Sequence, residues 1–474
     1  MRQDARNWMI LRHPTAPAMS SILAIATICF RSAIRSRVVA ILLAFVLLAM
    51  IGLPLSIQGD GTAAGYVRIL VTYTLSAVGI LLSFATLWAG CAAVSDEIVT
   101  RQIHLVLTKP VTCFQVWMGK WLGLMALNAL LLLFAGITLT ALLFYSPRLQ
   151  ELSDEQQTVV REQILMAHRV TTPTLPDVEE EVEASYQRWL RQQAGNVTVA
   201  PERVKEQLRK DQWTRALMAP PNTELLLTFS LPSSLNRAHP LYLEYQFETS
   251  EPAPLQVPHQ WRAGLQGGTW QVTQDNHVIA RTRHRITLPA SAVDDDGTLT
   301  LAFEHSYADP ITVLFSPDRG VAILTYDGPF VSNLLRALWL TLFQLSFLAA
   351  LGVTTGSIFS LPVAAFSALF GLILLVFAPY IEGMADRTAY VTTGEEQKVG
   401  TQLVDTAVQQ MFRGIHALVA PLQSAHAFEK LGVGEAIPRD LLLRSFVVRV
   451  LLYSGGLACL GSWLFRRREI GVAA

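Results

Sequence analysis

The sequence predicts an α-helical polytopic membrane protein of six transmembrane helices, with an extracytoplasmic domain of helical stalk and β-sandwich inserted between helices three and four. Three observations predict it. The 474 residues are 51% hydrophobic and only 16% charged, against about 25% charged in an average soluble domain. Six apolar stretches, about 38–57, 69–94, 121–145, 333–357, 361–381 and 447–465, have the length of roughly 20 residues that a bilayer core requires of a helix. Between the third and fourth, the pattern changes to polar helix formers and then to short strands with turn signals. Lys+Arg and Asp+Glu balance at 37 each, so net charge points to no nucleic acid or other polyanion.

Residues 1–37 form a cytoplasmic N-terminus and an interfacial helix. The apolar run SILAIATICF is about ten residues and is followed by Arg31 rather than a small-residue cleavage site. At helical spacing Ile22, Ile25, Cys29 and Phe30 share a face, which suits a helix lying in the inner interface. A removed signal peptide is the other reading. Residues 38–146 hold spans one to three, with a charged helix at about 95–110 between the second and third.

Residues 147–221 read as the helical stalk. ELSDEQQTVVREQILMAHRV and PDVEEEVEASYQRWLRQQAGN are amphipathic, with Pro173, Pro176 and Pro201 as breaks. Residues 222–330 read as the sandwich: TELLLTFSL, PLYLEYQFE, TWQVTQ, HVIARTRHRITLP, GTLTLAFEH, ITVLFS and VAILTY are strands, with turns at 267–268, 275–276 and 294–297. Asp294, Asp295 and Asp296 before Gly297 fit a turn better than a calcium loop. Residues 331–381 hold spans four and five. In 382–440, Val404, Ala407, Val408, Met411, Phe412 and Ile415 repeat at helical spacing, predicting a helix on the outer face. Residues 441–474 are span six and a basic cytoplasmic tail.

Orientation follows from Lys and Arg near the span ends. Arg31, Arg35 and Arg37, then Arg101, Lys109 and Lys120, then Arg466, Arg467 and Arg468 fall on one side of an even number of spans, so both termini are expected in the cytoplasm. Cys29, Cys91, Cys113 and Cys459 all fall toward that reducing side, and the long external region has no cysteine. The expected location is a bacterial inner membrane.

Catalytic motifs are missing. The Gly119–Lys120 pair is followed by Trp121, so the chain has no P-loop of its own. H-E-x-x-H, G-x-S-x-G and C-x-x-C do not occur, and the histidines lack metal-ligand spacing. No enzyme activity, cofactor or metal is expected of this chain. Charged side chains inside spans mark ion and proton pathways. Here the nearest, Arg336 and Arg449, read as lying at outer span ends where they snorkel to head groups. That argues against proton- or sodium-coupled transport and places any energy source outside the chain.

Between spans two and three, SDEIVTRQIHLVLTK reads as an amphipathic helix. Ile98, Ile103, Val106 and Leu107 are its apolar contacts, Asp96, Glu97, Arg101 and Lys109 its charges, and Pro110 its stop. The pattern Glu97-x-x-x-Arg101-x-Ile103, Leu107-Thr108-Lys109-Pro110-Val111 and Gly119-Lys120-x-Leu122-Gly123 resembles the signature of type-2 ABC transporter permeases. The resemblance extends to the basic end Phe465-Arg466-Arg467-Arg468-Glu469-Ile470-Gly471, and Ile358-Phe359-Ser360-Leu361-Pro362-Val363-Ala364 resembles the motif of a subgroup with a large external domain; Val99, Gln102 and Cys113 depart from the pattern.

The resemblance implies a permease subunit of an ATP-driven exporter, with 95–110 as the coupling helix. Glu97, Arg101 and Lys109 would be polar anchors on the ATPase, while Ile103, Leu107 and Pro110 fill its groove. Gly119, Lys120 and Arg466–Arg468 would mark membrane re-entry and anchoring, and Gly455, Gly456 and Gly461 close helix packing. The implied partners are a separate ABC ATPase carrying ATP and Mg, a second permease copy and membrane lipid. The alternative is a non-transporting anchor or mechanotransmission subunit whose sandwich binds a partner or polysaccharide.

Overall fold

The structure is a computed structural model, and it describes residues 18–56, 63–100, 111–145, 153–163, 165–192, 201–232, 235, 237–251, 256–264, 271–272, 276–305, 311–385, 399–422 and 427–467. A helical bundle carries a β-rich insertion between its fourth long helix and the helix that follows the last strand.

Helix α1 (Ala18–Arg35) meets α2 (Arg37–Ser56) at a 65° bend. Ser36 makes the corner: its hydroxyl donates to the Ala33 carbonyl at 2.7 Å and accepts from the Val39 amide at 3.3 Å. Helix α3 (Ala63–Val99) has 37 residues, about 55 Å at 1.5 Å per residue, well beyond a hydrocarbon core of about 30 Å. Helix α4 (Cys113–Tyr145) returns alongside it. Thr112 and Gln115 start α4 with a capping box: the Gln115 amide donates to Thr112 Oγ1 at 3.2 Å and the Thr112 amide to Gln115 Oε1 at 2.8 Å.

The insertion begins with helix α5 (Asp154–Gln163) and strand β1 (Met166–Thr171). The expected helix over 151–170 therefore ends early, because Met166–Thr171 pairs with a strand far along the chain. An antiparallel helix pair follows, α6 (Glu179–Gln192) and α7 (Pro201–Ala216), joined by Arg209 to Glu179 at 2.7 Å and Lys205 to Glu183 at 2.7 Å.

Eleven more strands follow among the described residues. They are β2 (Met218–Ala219), β3 (Leu225–Ser230), β4 (Leu241–Tyr245), β5 (Phe247–Thr249), β6 (Gln256–Gly264), β7 (Gln271–Val272), β8 (Asn276–Ile279), β9 (His284–Leu288), β10 (Thr298–His305), β11 (Val313–Phe315) and β12 (Val321–Pro329). They form sheets ordered β1-β12-β4-β9, β3-β10-β6-β7 with β8 also on β6, and β2-β11-β5. Tyr245 of β4, Phe247 of β5, Trp261 of β6, Phe303 of β10 and Phe315 of β11 are all buried in one shared core, so the sheets pack face to face. Truncating Trp261 to Ala costs about 3–5 kcal/mol in such a core. The Asp294–Gly297 stretch is a turn: Gly297 has φ +78° and its amide donates to Asp294 O at 3.0 Å.

Strand β12 runs directly into α8 (Phe330–Ile358). Helix α9 (Leu361–Val376) has 16 residues and breaks before α10 (Ala378–Ala385), so the expected span 361–381 is not one helix. Pro379 explains the break, since it removes a donor and clashes with the preceding turn. Helix α11 (Val399–Val419) fulfils the periodicity read at 404–415. After α12 (Ala427–Gly432) the last described elements are α13 (Arg439–Ser445), a π-helical stretch Phe446–Ser454 and α14 (Gly455–Arg467).

Among the described residues, four helical segments are long and apolar enough to cross a membrane: Gly65–Val99, Cys113–Tyr145, Phe330–Ile358 and Arg439–Arg467; the bent α1–α2 pair is a fifth if it counts as one span. The helical part thus has the make-up of a polytopic membrane protein with an added β domain.

Candidate functional site

At the bundle end opposite the β domain, α3 and α4 are fastened by a charge pair. Lys120, its side chain 5% exposed, reaches from α4 to Glu97 Oε1 at 2.6 Å and also donates to the Ala93 carbonyl. Glu97 Oε2 is buried and accepts no hydrogen bond among the described residues. Two steps earlier on α3, Ser95 Oγ donates to the Gly356 carbonyl of α8 at 3.0 Å. Asp96 is exposed and Ile98 packs partly into the bundle. The ten residues between, 101–110, lie outside the described residues, and with them Arg101, Ile103, Leu107, Lys109 and Pro110.

Glycines set how closely the helices approach here. A Cβ on Gly119 would stand 2.7 Å from Ile25 Cβ, and one on Gly123 would stand 2.8 Å from Cys29 Cβ, so α1 lies on the backbone of α4 along a Gly-x-x-x-Gly edge. Gly90 of α3 meets Gly352 of α8 in the same manner, at 3.0 Å from a built Cβ to the facing Cα. Gly461 of α14 faces Trp117 and Thr354 at 2.9 Å. Trp117 Nε1 donates to Thr354 Oγ1 at 3.2 Å, and Thr354 Oγ1 donates to Leu457 O at 3.2 Å, so α4, α8 and α14 meet at one polar knot. Gly455 and Gly456 have no described atom within 4 Å of a built Cβ. Arg466 and Arg467 are exposed on the last turn of α14, with Arg467 over the Trp463 ring at 4.0 Å, and Arg468 lies outside the described residues.

The other end holds a junction that motif reading missed. Asn333, in the first turn of α8, donates to Glu435 O and accepts from the Ile437 amide, both at 2.8 Å. Arg336 donates to Asp327 at 2.7 Å and to Ile437 O at 3.1 Å, so it is anchored in protein and does not reach out to head groups. Burial alone would raise the Asp327 carboxyl, but the hydrogen bond and charge of Arg336, with Arg169 beside it, hold it below its ordinary value. Glu435 pairs with Arg319 at 2.9 Å and Lys430 at 2.8 Å, and Arg319 also faces Glu244 at 3.6 Å. The His168 amide donates to Gly434 O at 2.8 Å and the Ala436 amide to His168 O at 2.7 Å, which adds 434–436 to the edge of β1 as a parallel neighbour.

Arg449 also departs from expectation. It is 4% exposed and lines a cavity inside the bundle, because its helix begins at Arg439 and not near 447. Among the described residues no group of three His, Cys, Asp or Glu side chains is placed to hold a metal ion. A scan against protein-family models, a search of curated proteins and a search of solved structures each found no match to this chain.

Proposed function

We propose that this chain is the membrane subunit of an ATP-driven ABC exporter, working as a dimer and driven by a separate ATPase that docks on residues 95–110. One observation carries the reading. Only ten residues, 101–110, separate Thr100 from Val111 ahead of the α4 cap in sequence, and the Glu97–Lys120 pair locks α3 to α4, so a push on that connection would displace two long helices as one lever. Glu97 serves this lever from within, and the groove contacts fall to Arg101, Ile103, Leu107, Lys109 and Pro110. In this arrangement α2 and the broken α9–α10 segment complete six spans in a bacterial inner membrane, with both termini in the cytoplasm. ATP and Mg belong to the partner. The half-buried Gly455 and the exposed Gly456, each with open space where a Cβ would stand, suit approach by a second copy.

The experiment is mild detergent capture of the tagged protein from its host. A Walker-motif ATPase that accompanies the natural chain and is lost with Leu107→Asp supports the reading. An intact, folded protein that captures no ATPase, or keeps it with Leu107→Asp, refutes it.

A second reading, force transmission without cargo, is favoured by the junction. The β domain is tied to α8 by Arg336 on Asp327 of β12, and to the lead-in of α13 by Arg319 on Glu435 and the His168 backbone on Gly434 and Ala436, which suits a part that moves with the helices. Retention of a compound inside cells lacking the chain would separate export from this alternative.

A further inference from the structure

A cavity of about 480 Å³ opens within the bundle between α3, α8, α9 and α12, within the range of small-molecule pockets. Its lining mixes polar and apolar side chains. Thr72, Ser76, Ser83, Thr341 and Gln344 contribute hydroxyls and an amide, and the buried Arg449 joins them from the π-helical stretch. Ile80, Phe84, Ile373, Val376 and Phe377 are among its apolar lining residues, and these side chains are also exposed on the outer surface of the bundle. The cavity therefore opens sideways between α3 and α9, toward the medium that surrounds the apolar helices.

Two features set Arg449 apart from a packing residue. An ionisable side chain buried in a candidate span is expensive and is kept where it serves a function. It also lies in the π-helical stretch Phe446–Ser454, where Ser454 Oγ donates to Arg449 O five residues back, and π segments gather at functional sites. A guanidinium has five N–H donors, enough to hold a group of the protein and an incoming anion together. Glu429 stands at the end closed by α12, which Thr72 ties down through Phe428 O at 3.4 Å. That carboxylate disfavours a second negative charge beside the first.

We propose that this cavity binds an amphiphile with a single phosphate or carboxylate in its head group, the anion on Arg449 among the hydroxyls and the chain leaving between Ile80, Phe84, Ile373 and Val376. The site stands on its own geometry and requires no ATPase, so its failure and that of the coupling proposal are separate results.

The test uses the purified full chain in a neutral detergent and a lysophosphatidic acid carrying a diazirine in its acyl chain. Labelling is expected on peptides covering 72–84 and 369–377. Arg449→Gln should lower it about tenfold or more, the weight of a charge-assisted hydrogen bond, and Arg449→Lys should restore part of it. Should Arg449→Gln fail to fold, Ser83→Phe fills the cavity with no change of charge and should abolish labelling. Inorganic phosphate at the same concentration should not compete, since it lacks the chain. Labelling spread over α2 and α4, labelling that survives both variants, or full competition by inorganic phosphate would overturn the proposal.

Discussion

Replacing Glu97 by Gln keeps the shape of the side chain and removes its charge from Lys120. The ammonium then stays buried, at 5% exposure, with the Ala93 carbonyl as its acceptor. Breaking a buried pair by removing one partner costs about 3–5 kcal/mol. Glu97 is itself 33% exposed, and water there screens the pair, so we expect about 2 kcal/mol. Unfolding of the detergent-solubilised protein, titrated with a denaturing detergent and followed by tryptophan fluorescence, reads this directly, because Trp117 and Trp121 flank the site on α4. The double variant Glu97→Gln/Lys120→Met removes both charges and should return to within about 1 kcal/mol of the natural chain, since apolar replacement of a buried pair is often neutral. If Glu97→Gln changes stability by less than about 0.5 kcal/mol, or the double variant equals the sum of the singles, the pair does not join α3 to α4.

Two further outcomes are expected. Gly123→Val drives a side chain into Cys29 and should cost about 1–3 kcal/mol; displaced α1 would then expose Cys29 to maleimide, and unchanged labelling would show that the close contact is not made. His168 is buried and lies near Arg285, and both push its pKa down from 6.5 to about 4. Its folded value is the lower one, so the unfolded chain binds more protons between those pH values. Stability of the β domain should fall as pH drops from about 6.5 to about 4, by on the order of 3 kcal/mol, and level off below. Proteolysis rates across that range should flatten in His168→Gln, and an unchanged profile in that variant would assign the titration to another group.

Apolar runs made the long helices legible, alternation in LTLAF did the same for β10, and the short apolar run VAILT, buried throughout, did it for β12. What failed had local causes. QVPHQWRAG is missing from the expected strands, and its Pro258 is a residue that central strands seldom hold, yet Val257, His259, Trp261 and Ala263 alternate inward and make β6 central to its sheet. Pro258 is tolerated because the β10 ladder covers only His259–Gly264. MAHRVT lies in a polar, helix-forming stretch, and the partners that make it a strand, Thr171 to Ile323 and His168 to Glu435, are over 150 residues away. Arg449 seemed to lie at a span end because the hydrophobic window begins near 447, while α13 adds two amphipathic turns ahead of it. Glu97 is expected as a contact for another protein and Lys120 as a membrane re-entry anchor; sequence spacing gives no sign that they face each other across a helix pair.

The strand-to-helix join at Pro329–Phe330 has a consequence for how this chain can change over time. No linker intervenes there, so one inserted residue would turn α8 by about 100° against the sheet, since a helix makes a turn every 3.6 residues. Asn333, Arg336 and Asp327 would face the wrong way at once. Related chains should therefore differ freely in loop length within the β domain and hold this seam to a fixed residue count, so that variation in length across it marks a chain in which domain and bundle have parted company.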